Sequence, residues 1–527
     1  MTFDYIIIGG GTSGSILAHH LSKKKYKVAI IEKGNNFKLL NKLIEFPSGN
    51  FIALKNKIFT KNYLCESSSK LNGRRLLWPR GEYLGGSSAI NGLIYKRAHK
   101  KVFDSLYNKG FTNWEWKKVN KYYEEIEKDL NILSYKNTSQ YKNWENNIVN
   151  YFLDSLKENN FKFCNSFNET SQHVSEDSLE SIAAHYDFTL NNFKRSYGYN
   201  TFLKNNKSIK IFGKSLVTKV LFENSMAKGV EFINNNNKST VYCNREIILS
   251  AGTINSPKIL QLSGIGDKNL LDSLGIRTIF DNKNVGINLR DRLQTRTVYE
   301  VNSKENYNIL KRSFFYLVSS IFKYYFFKRG ILSMPAVRAG AFVGTTHGEK
   351  DLGYQLNLIL GSVNSKNNAD NFNGITISVN TLDPKSSGYL KIKSKNPYKD
   401  PEIQANYFEN EDDLQKHVDG IEIIRKISKT NPFSELIKKE HLPGPLVMKK
   451  NDIIDYIKNT STTIYHPTGT CRIGNEKEGV IDGKMKVFGV KNLRVCDASI
   501  FPESLSGNPA ASCYLVGKIL AEDILSS

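Results

Sequence analysis

Cysteine is sparse and scattered. The 527-residue chain holds six, Cys65, Cys164, Cys243, Cys471, Cys496 and Cys513. None forms a CxxC pair or a Cys/His spacing that binds zinc, so neither a metal site nor a redox dithiol is expected. Reduced thiols in a cytoplasmic protein fit this usage. Long apolar runs are missing too. The longest, "FFYLVSSIF" from Phe314 to Phe322, meets Lys323 before "YYFF" follows, too short and interrupted to span a bilayer. It reads first as a buried helix of a second domain, and second as an interfacial or substrate-entrance patch with peripheral membrane contact at residues 314–327. The chain enters its first strand almost at once, leaving no room for a secretory leader, so export is not expected. No internal repeat and no Pro-rich or Gly/Ser linker is present.

Positive charge is plentiful but not gathered. Lys plus Arg number 74 against 51 Asp plus Glu, a net charge of +23. The lysines are dispersed as pairs such as Lys117-Lys118 and Lys449-Lys450, alongside asparagine-rich stretches such as "INNNNK" (Ile233 to Lys238). A dedicated polyanion site would concentrate its cations in one arm or face, so this bias is read as solvated surface and no nucleic-acid partner is expected. With 40% hydrophobic and 24% charged residues the composition is that of a folded protein. The length exceeds what one hydrophobic core usually serves, which predicts two domains.

"FDYIII", Phe3 to Ile8, is a continuous apolar run of strand length, as a strand buried on both faces requires. "GGGTSGSILAHHLSK" and then "KVAIIEKG" complete a strand, glycine turn, helix, strand unit. "SIKIFGKSLVTKVLFENSMAKGVEFI" and "REIILSAG" read as further strands, and "GITISVN" and "GYLKIKS" as antiparallel ones. Between Asn131 and Leu190 the pattern is polar and helical.

Gly9, Gly11 and Gly14 form GxGxxG between strand and helix. The first glycine permits the turn, the second lets a pyrophosphate approach the backbone, and the third lets helix and strand pack closely. Phosphate then meets unpaired N–H groups and the helix dipole. Glu32, eighteen residues after Gly14, closes the second strand where it can accept hydrogen bonds from an adenosine ribose. This predicts a dinucleotide site without separating NAD from FAD, and the carboxylate disfavours a 2′-phosphate.

"WPRGEYLGGSSAINGLIYKRA" (Trp78 to Ala98) and "GTINSPKILQLSGIG" (Gly252 to Gly266) resemble the two signature segments of the glucose-methanol-choline (GMC) flavoprotein oxidoreductases. "GFTNWEW", "VGINLRDR", "YHPTGTCRIG" and "VFGVKNLRVCDASIFPESLSGNP" extend the resemblance along nearly the whole chain. It implies an α/β fold: a Rossmann-type FAD-binding domain (1–130, 191–295 and 465–527) interleaved with an α+β substrate-binding domain (131–190 and 296–464) built on an antiparallel sheet. Gly86 and Ser87, beside Leu84, Gly85 and Ser88, then belong to a second loop near the pyrophosphate, and Asn91, Gly92, Leu93 and Ile94 run beside the flavin ring. Thr12 and Ser13 open the phosphate-facing helix. Val217 matches the strand residue that meets adenine, Ala251 the small residue beside adenosine, Asp497 and Ala498 the segment near the ribityl chain, and Pro509 and Ala510 the border of the ring. Ile90 stands where some relatives carry the histidine that bonds FAD covalently, so dissociable FAD is expected.

By the same resemblance His466, in "YHPTGT", and Asn508, in "SGNPA", face the flavin's reactive edge. The reaction implied is oxidation of a primary alcohol, aliphatic, aryl or choline-like, to the aldehyde, with oxygen or a quinone or other carrier as final electron acceptor. His466 takes the hydroxyl proton and Asn508 holds the oxygen. An imidazole near pKa ~6.5 facing a hydroxyl near ~15.7 is about nine units short of free alkoxide, roughly 12 kcal/mol, so proton and hydride transfers must overlap or fixed donors must stabilise an alkoxide. Hydroxynitrile lyases and light-driven fatty-acid decarboxylases with the same fold are the alternatives. Glu82, Arg292 and Ser387 depart from the pattern, where Arg/Lys/Asn, His and Arg are usual. The last two are expected to affect substrate choice or packing without touching the reacting edge.

Overall fold

The computed structural model describes residues 1–35, 40–135, 144–170, 181–344, 352–364 and 368–526. Strand β1, Thr2–Ile8, lies between two parallel neighbours: β2, Val28–Ile31, and the strand Asn237–Leu249. Tyr5 to Ile8 are buried, which explains the unbroken apolar run. Ile209–Phe212 continues the parallel sheet beyond β2, and Leu493–Val495 pairs in parallel with Asn237–Leu249. An antiparallel meander, Ser215–Glu223, Met226–Asn234 and Asn237–Leu249, fills the other side. Asn235 and Asn236 of the asparagine run occupy left-handed positions (φ 46° and 65°) in its second turn, a conformation asparagine tolerates better than most residues and one that matches the twist of a tight hairpin.

Helix α1, Thr12–Lys23, connects β1 to β2 and is crossed by the C-terminal helix Ala510–Ser526. Gly517 permits the crossing: a Cβ there would lie 2.5 Å from both Ile16 Cγ2 and the Ser13 carbonyl oxygen. Ser13 Oγ also donates to the Cys513 carbonyl (2.6 Å). The two termini of the chain are thus packed together, and the segment just before the C-terminal helix is brought to the glycine turn.

A second sheet runs in the order Ile437–Leu442, Leu293–Val301, Gly374–Thr381, Leu352–Ile359, Val337–Gly344, Ile182–His185, Lys162–Ser166. Its pairings are antiparallel except the last. The helix Glu411–Ser428 covers one face, with Gly420 against Val379, where a Cβ would stand 2.2 Å from Val379 Cγ2. Buried apolar side chains form two large clusters, one around each sheet.

Two expectations need correction. The stretch 131–190 is not simply helical: beside the helix Asn147–Glu158 it supplies the strands Lys162–Ser166 and Ile182–His185, while 136–143 and 171–180 lie outside the described residues. Short strands of this kind are defined by the partner that pairs with them, which leaves little local signal. The segment Phe314–Phe322 is a helix, but its large side chains face outward instead of into a core.

Candidate active site

The glycine turn is built as its spacing predicts. Gly9 has φ 108°, which L side chains rarely adopt. A Cβ on Gly14 would stand 2.1 Å from the Gly9 carbonyl oxygen, so that glycine serves packing. A Cβ on Gly11 would meet nothing closer than 3.9 Å and would project into open space in front of the helix. Among the described residues no side chain caps the N-terminus of α1, which leaves its first N–H groups available to phosphate. The second loop closes on the first: Gly85 N donates to the Gly10 carbonyl (2.8 Å), and Gly86, at φ 56°, sits where a Cβ would be 2.8 Å from Gly11 Cα.

Gly9, Gly11, Thr12, Ser13, Glu32, Gly86, Ser87, Asn91, Gly92, Ile94, Val217, Ala251, Asp497, Ala498, Pro509 and Ala510 line one cavity of about 500 Å³, together with His466 and Asn508. Gly14, Leu84 and Leu93 sit behind its wall: Gly14 against β1, Leu84 buried beside Gly10, and Leu93 buried at φ 70°. Glu32 accepts from Gly10 N and Gly34 N (2.7 Å each). Burial raises its pKa, and those two N–H groups oppose the rise; an ionised carboxylate keeps lone pairs for a sugar hydroxyl. Asp497 accepts from Gly252 N, Ser256 Oγ and Ser499 N, tying the two strand ends together. Ile90 lines the same cavity and offers no nucleophile. Open space before Gly11, an uncapped helix start and a second glycine loop folded on the first are what the diphosphate of FAD requires, and the residues present fit that cofactor.

His466 reaches the cavity on a segment held from behind. Ile464 N donates to the Arg292 carbonyl (3.0 Å), and Arg290 and Thr468 exchange backbone hydrogen bonds. Tyr465 turns the chain at φ 69°, a left-handed conformation that costs a bulky L residue ~1–2 kcal/mol and persists only where surroundings impose it. Those surroundings centre on Asp291, whose Oδ1 accepts from His466 N (2.8 Å) and whose Oδ2 accepts from Thr463 Oγ1 and Tyr407 OH (2.5 Å each). Asn508 Nδ2 lies 3.5 Å from His466 Nε2.

Arg292 overturns the expectation that it stays clear of the reacting edge. Its Nη2 donates to His466 Nδ1 (2.5 Å) and to the Gly507 carbonyl (2.7 Å), linking the segments that carry His466 and Asn508. Burial lowers the arginine to about 10, which still leaves it charged at neutral pH. Burial first, then the charges of Arg292 and Arg80, hold His466 well below 6.5, so the imidazole is neutral. Ser387 is exposed and its carbonyl accepts from Asn406 Nδ2. Glu82 pairs with Lys33 (2.6 Å) on the cavity wall.

Sequence reasoning passed over several contributors. Arg80, inside the "WPRG" signature, lines the cavity with Nε and Nη2 buried and without a partner among the described residues. Arg195 is fully buried and fastens the second loop through the Asn91 carbonyl (2.8 Å) and Asn91 Oδ1 (2.7 Å). Gln294, Arg296, Val337, Asn357, Ile359 and Ser378, from four strands of the antiparallel sheet, form the wall opposite the glycine loops. The "WPRG" motif could have led to Arg80; nothing local marks the others.

The N-terminal signature of GMC oxidoreductases matches residues 3–294 and the C-terminal one residues 384–517. An alcohol dehydrogenase (acceptor) from Pseudomonas putida is 31% identical over 539 residues, spanning 99% of this chain and 96% of its own. An oxygen-dependent choline dehydrogenase from Brucella anthropi is 29% identical, spanning 100% and 96%. In fold the chain is similar to formate oxidase from Aspergillus oryzae (TM-score 0.86, 23% identity, 100% of this chain and 98% of that one) and to an aryl-alcohol oxidase of fungal origin (TM-score 0.77, 17% identity, 99% of each). The chain belongs to the GMC oxidoreductase family and is an FAD-dependent oxidoreductase.

Proposed function

We propose that the protein oxidises a primary alcohol to the aldehyde, with the alcohol oxygen held between His466 and Asn508 and FAD bound without a covalent link to the protein. The observation that carries this reading is the meeting of imidazole and carboxamide, 3.5 Å apart, on the wall of the cavity that the glycine loops also line. When bound, FAD supplies the two-electron acceptor for the hydride that leaves carbon.

The role of His466 follows from Arg292. A guanidinium only donates, so Nδ1 must be the acceptor and the imidazole's own proton resides on Nε2, the nitrogen beside Asn508. Asn508 Nδ2 stands beside Nε2, so both N–H groups can converge on one substrate oxygen. His466 Nε2–H and Asn508 Nδ2–H are then donors to an oxygen on which negative charge develops, backed by the charges of Arg292 and Arg80. This is the stabilised-alkoxide branch of the chemistry, with the hydroxyl proton passing to hydroxide from solvent as the hydride leaves carbon; the base role expected for His466 belongs to the other arrangement, with Nε2 unprotonated.

The wall also bears on substrate choice. Its carboxylates are engaged: Glu32 and Asp497 by N–H and O–H donors, Glu82 by Lys33, Asp400 by Lys61 (2.8 Å). Arg80 and Arg296 instead hold buried nitrogens without partners among the described residues. Such a wall offers a quaternary ammonium no free carboxylate and sets uncompensated positive charge beside it, so we place neutral or anionic primary alcohols ahead of choline-like ones. Anaerobic addition of an alcohol panel while flavin absorption is followed tests the reaction: an oxidase or dehydrogenase bleaches it in the dark, a lyase leaves it unchanged, and a photodecarboxylase needs light and a carboxylate.

A further inference from the structure

The helix Phe314–Phe322 and the turn Lys323–Phe327 that continues it are built inside out for a protein in water. Phe314 (79% exposed), Phe315 (77%), Phe326 (71%) and their neighbours Phe322, Tyr325 and Phe327 face solvent, whereas the side turned to the protein carries Ser320 and Tyr324. Tyr324 pins the element: its hydroxyl donates to the Phe193 carbonyl (3.1 Å) and its ring meets Phe46 (6.3 Å between centroids). The aromatic face is therefore presented outward by a fixed anchor. A contiguous apolar surface of this kind marks a place where something other than water belongs.

Charge identifies what belongs there. Lys311, Arg312, Lys323, Lys328 and Arg329 flank the aromatics, and no acidic residue occurs between Glu305 and Glu349. Lys311, Arg312, Lys323 and Arg329 are exposed. Aromatic side chains beside long cationic ones match the boundary between acyl chains and headgroups, where rings sit at headgroup level and ammonium or guanidinium groups reach anionic phosphates. Among the described residues no helix is long and apolar enough to cross a membrane, so the contact is with one leaflet.

We propose that residues 311–329 form a docking surface for an anionic lipid bilayer. The surface adjoins the cavity: Phe51, part of the cavity wall, packs edge-on against Tyr307 (5.4 Å between centroids), which lies just before the cationic flank, and Phe51 and Ile52 are themselves exposed. Docking would bring that side of the cavity to the bilayer. This inference is independent of which alcohol is oxidised.

The test is flotation of the flavin-loaded protein with vesicles of phosphatidylcholine and phosphatidylglycerol (3:1) or phosphatidylcholine alone, at low and high salt. The native protein is expected to float with the anionic vesicles, about tenfold less with neutral ones, and less as salt screens the charges. Phe314→Ser/Phe315→Ser/Phe326→Ser and, separately, Lys311→Glu/Arg312→Glu/Lys328→Glu should each reduce flotation on the order of a hundredfold while flavin content stays native, which shows that the fold survives. Failure of the native protein to float with anionic vesicles would overturn the proposal. So would variants that float undiminished, or an aromatic variant that turns a native dimer into monomers without changing flotation, since the surface would then be covered by a second copy of the chain.

Discussion

Arg292 Nη2 lies 2.5 Å from His466 Nδ1 and 2.7 Å from the Gly507 carbonyl oxygen, so one side chain grips both segments that carry the reacting-edge groups. Burial, with the charge of Arg292 behind it, holds His466 neutral, and the hydrogen bond from the guanidinium places the imidazole proton on the nitrogen beside Asn508. Because His466 is held well below 6.5, chiefly by burial and then by Arg292 and Arg80, the rate of flavin reduction should show no acid limb near pH 6.5. It should instead keep rising into the alkaline range, as hydroxide becomes available to take the alcohol proton. Arg292→His removes the fixed donor, frees Nδ1 and takes away one of the two guanidinium charges, while burial and Arg80 still depress the imidazole; an acid limb at higher pH than in the native protein, but still below 6.5, is expected. Anaerobic reduction rates of both proteins across pH decide this.

His466→Ala and Asn508→Ala each remove one donor to the developing negative oxygen. Flavin reduction should slow by about a hundredfold or more for His466 and by roughly tenfold to a hundredfold for Asn508. Flavin content should stay near native, because the glycine loops are untouched. Single-turnover reduction with a saturating alcohol measures the rates, and bound flavin is counted by its absorption.

Choline and 3,3-dimethyl-1-butanol have nearly the same shape and differ in charge. The nitrogens of Arg80 and Arg296 that have no partner among the described residues predict a higher kcat/KM for the neutral alcohol, by about tenfold or more, corresponding to ~1.4 kcal/mol in the transition state. Arg80→Gln should narrow the gap.

Gly11 and Gly14 are three residues apart and should fail differently. Gly11→Val places its side chain in the open space before α1, so the protein should fold with a melting temperature near that of flavin-free native protein yet bind FAD at least about tenfold more weakly. Gly14→Val drives its side chain into the Gly9 carbonyl, 2.1 Å from the Cβ position, and should destabilise the fold itself by several kcal/mol. Thermal melts and flavin titration separate the two. Ile90 offers no group for a covalent link, so acid precipitation of the native protein should leave all flavin in the supernatant.

The parts of this molecule legible from the sequence are those whose requirements are local. Gly9, Gly11 and Gly14 meet steric conditions set within a single turn, and the run Tyr5 to Ile8 reports burial on both faces directly. His466 and Asn508 were legible only through family resemblance, since an imidazole beside a proline carries no intrinsic mark of catalysis. Arg292 was visible as a departure, but its effect depends on a contact 174 residues away in sequence, which spacing does not encode. Arg195 and Asp291 act through the same kind of remote contact. The aromatic segment shows the opposite limit: its apolarity was plain, while the side it turns outward is set by the anchoring of Tyr324 against Phe46 and Phe193.

The central claim is that His466 and Asn508 present a primary alcohol to an FAD held by the two glycine loops. It is tested most directly by mixing the purified protein with primary alcohols in the dark without oxygen and recording flavin absorption. Bleaching by at least one neutral primary alcohol, with a matching yield of aldehyde and strong slowing in His466→Ala, is the predicted result. An oxidised flavin spectrum that no alcohol alters, or equal bleaching in His466→Ala, would contradict it.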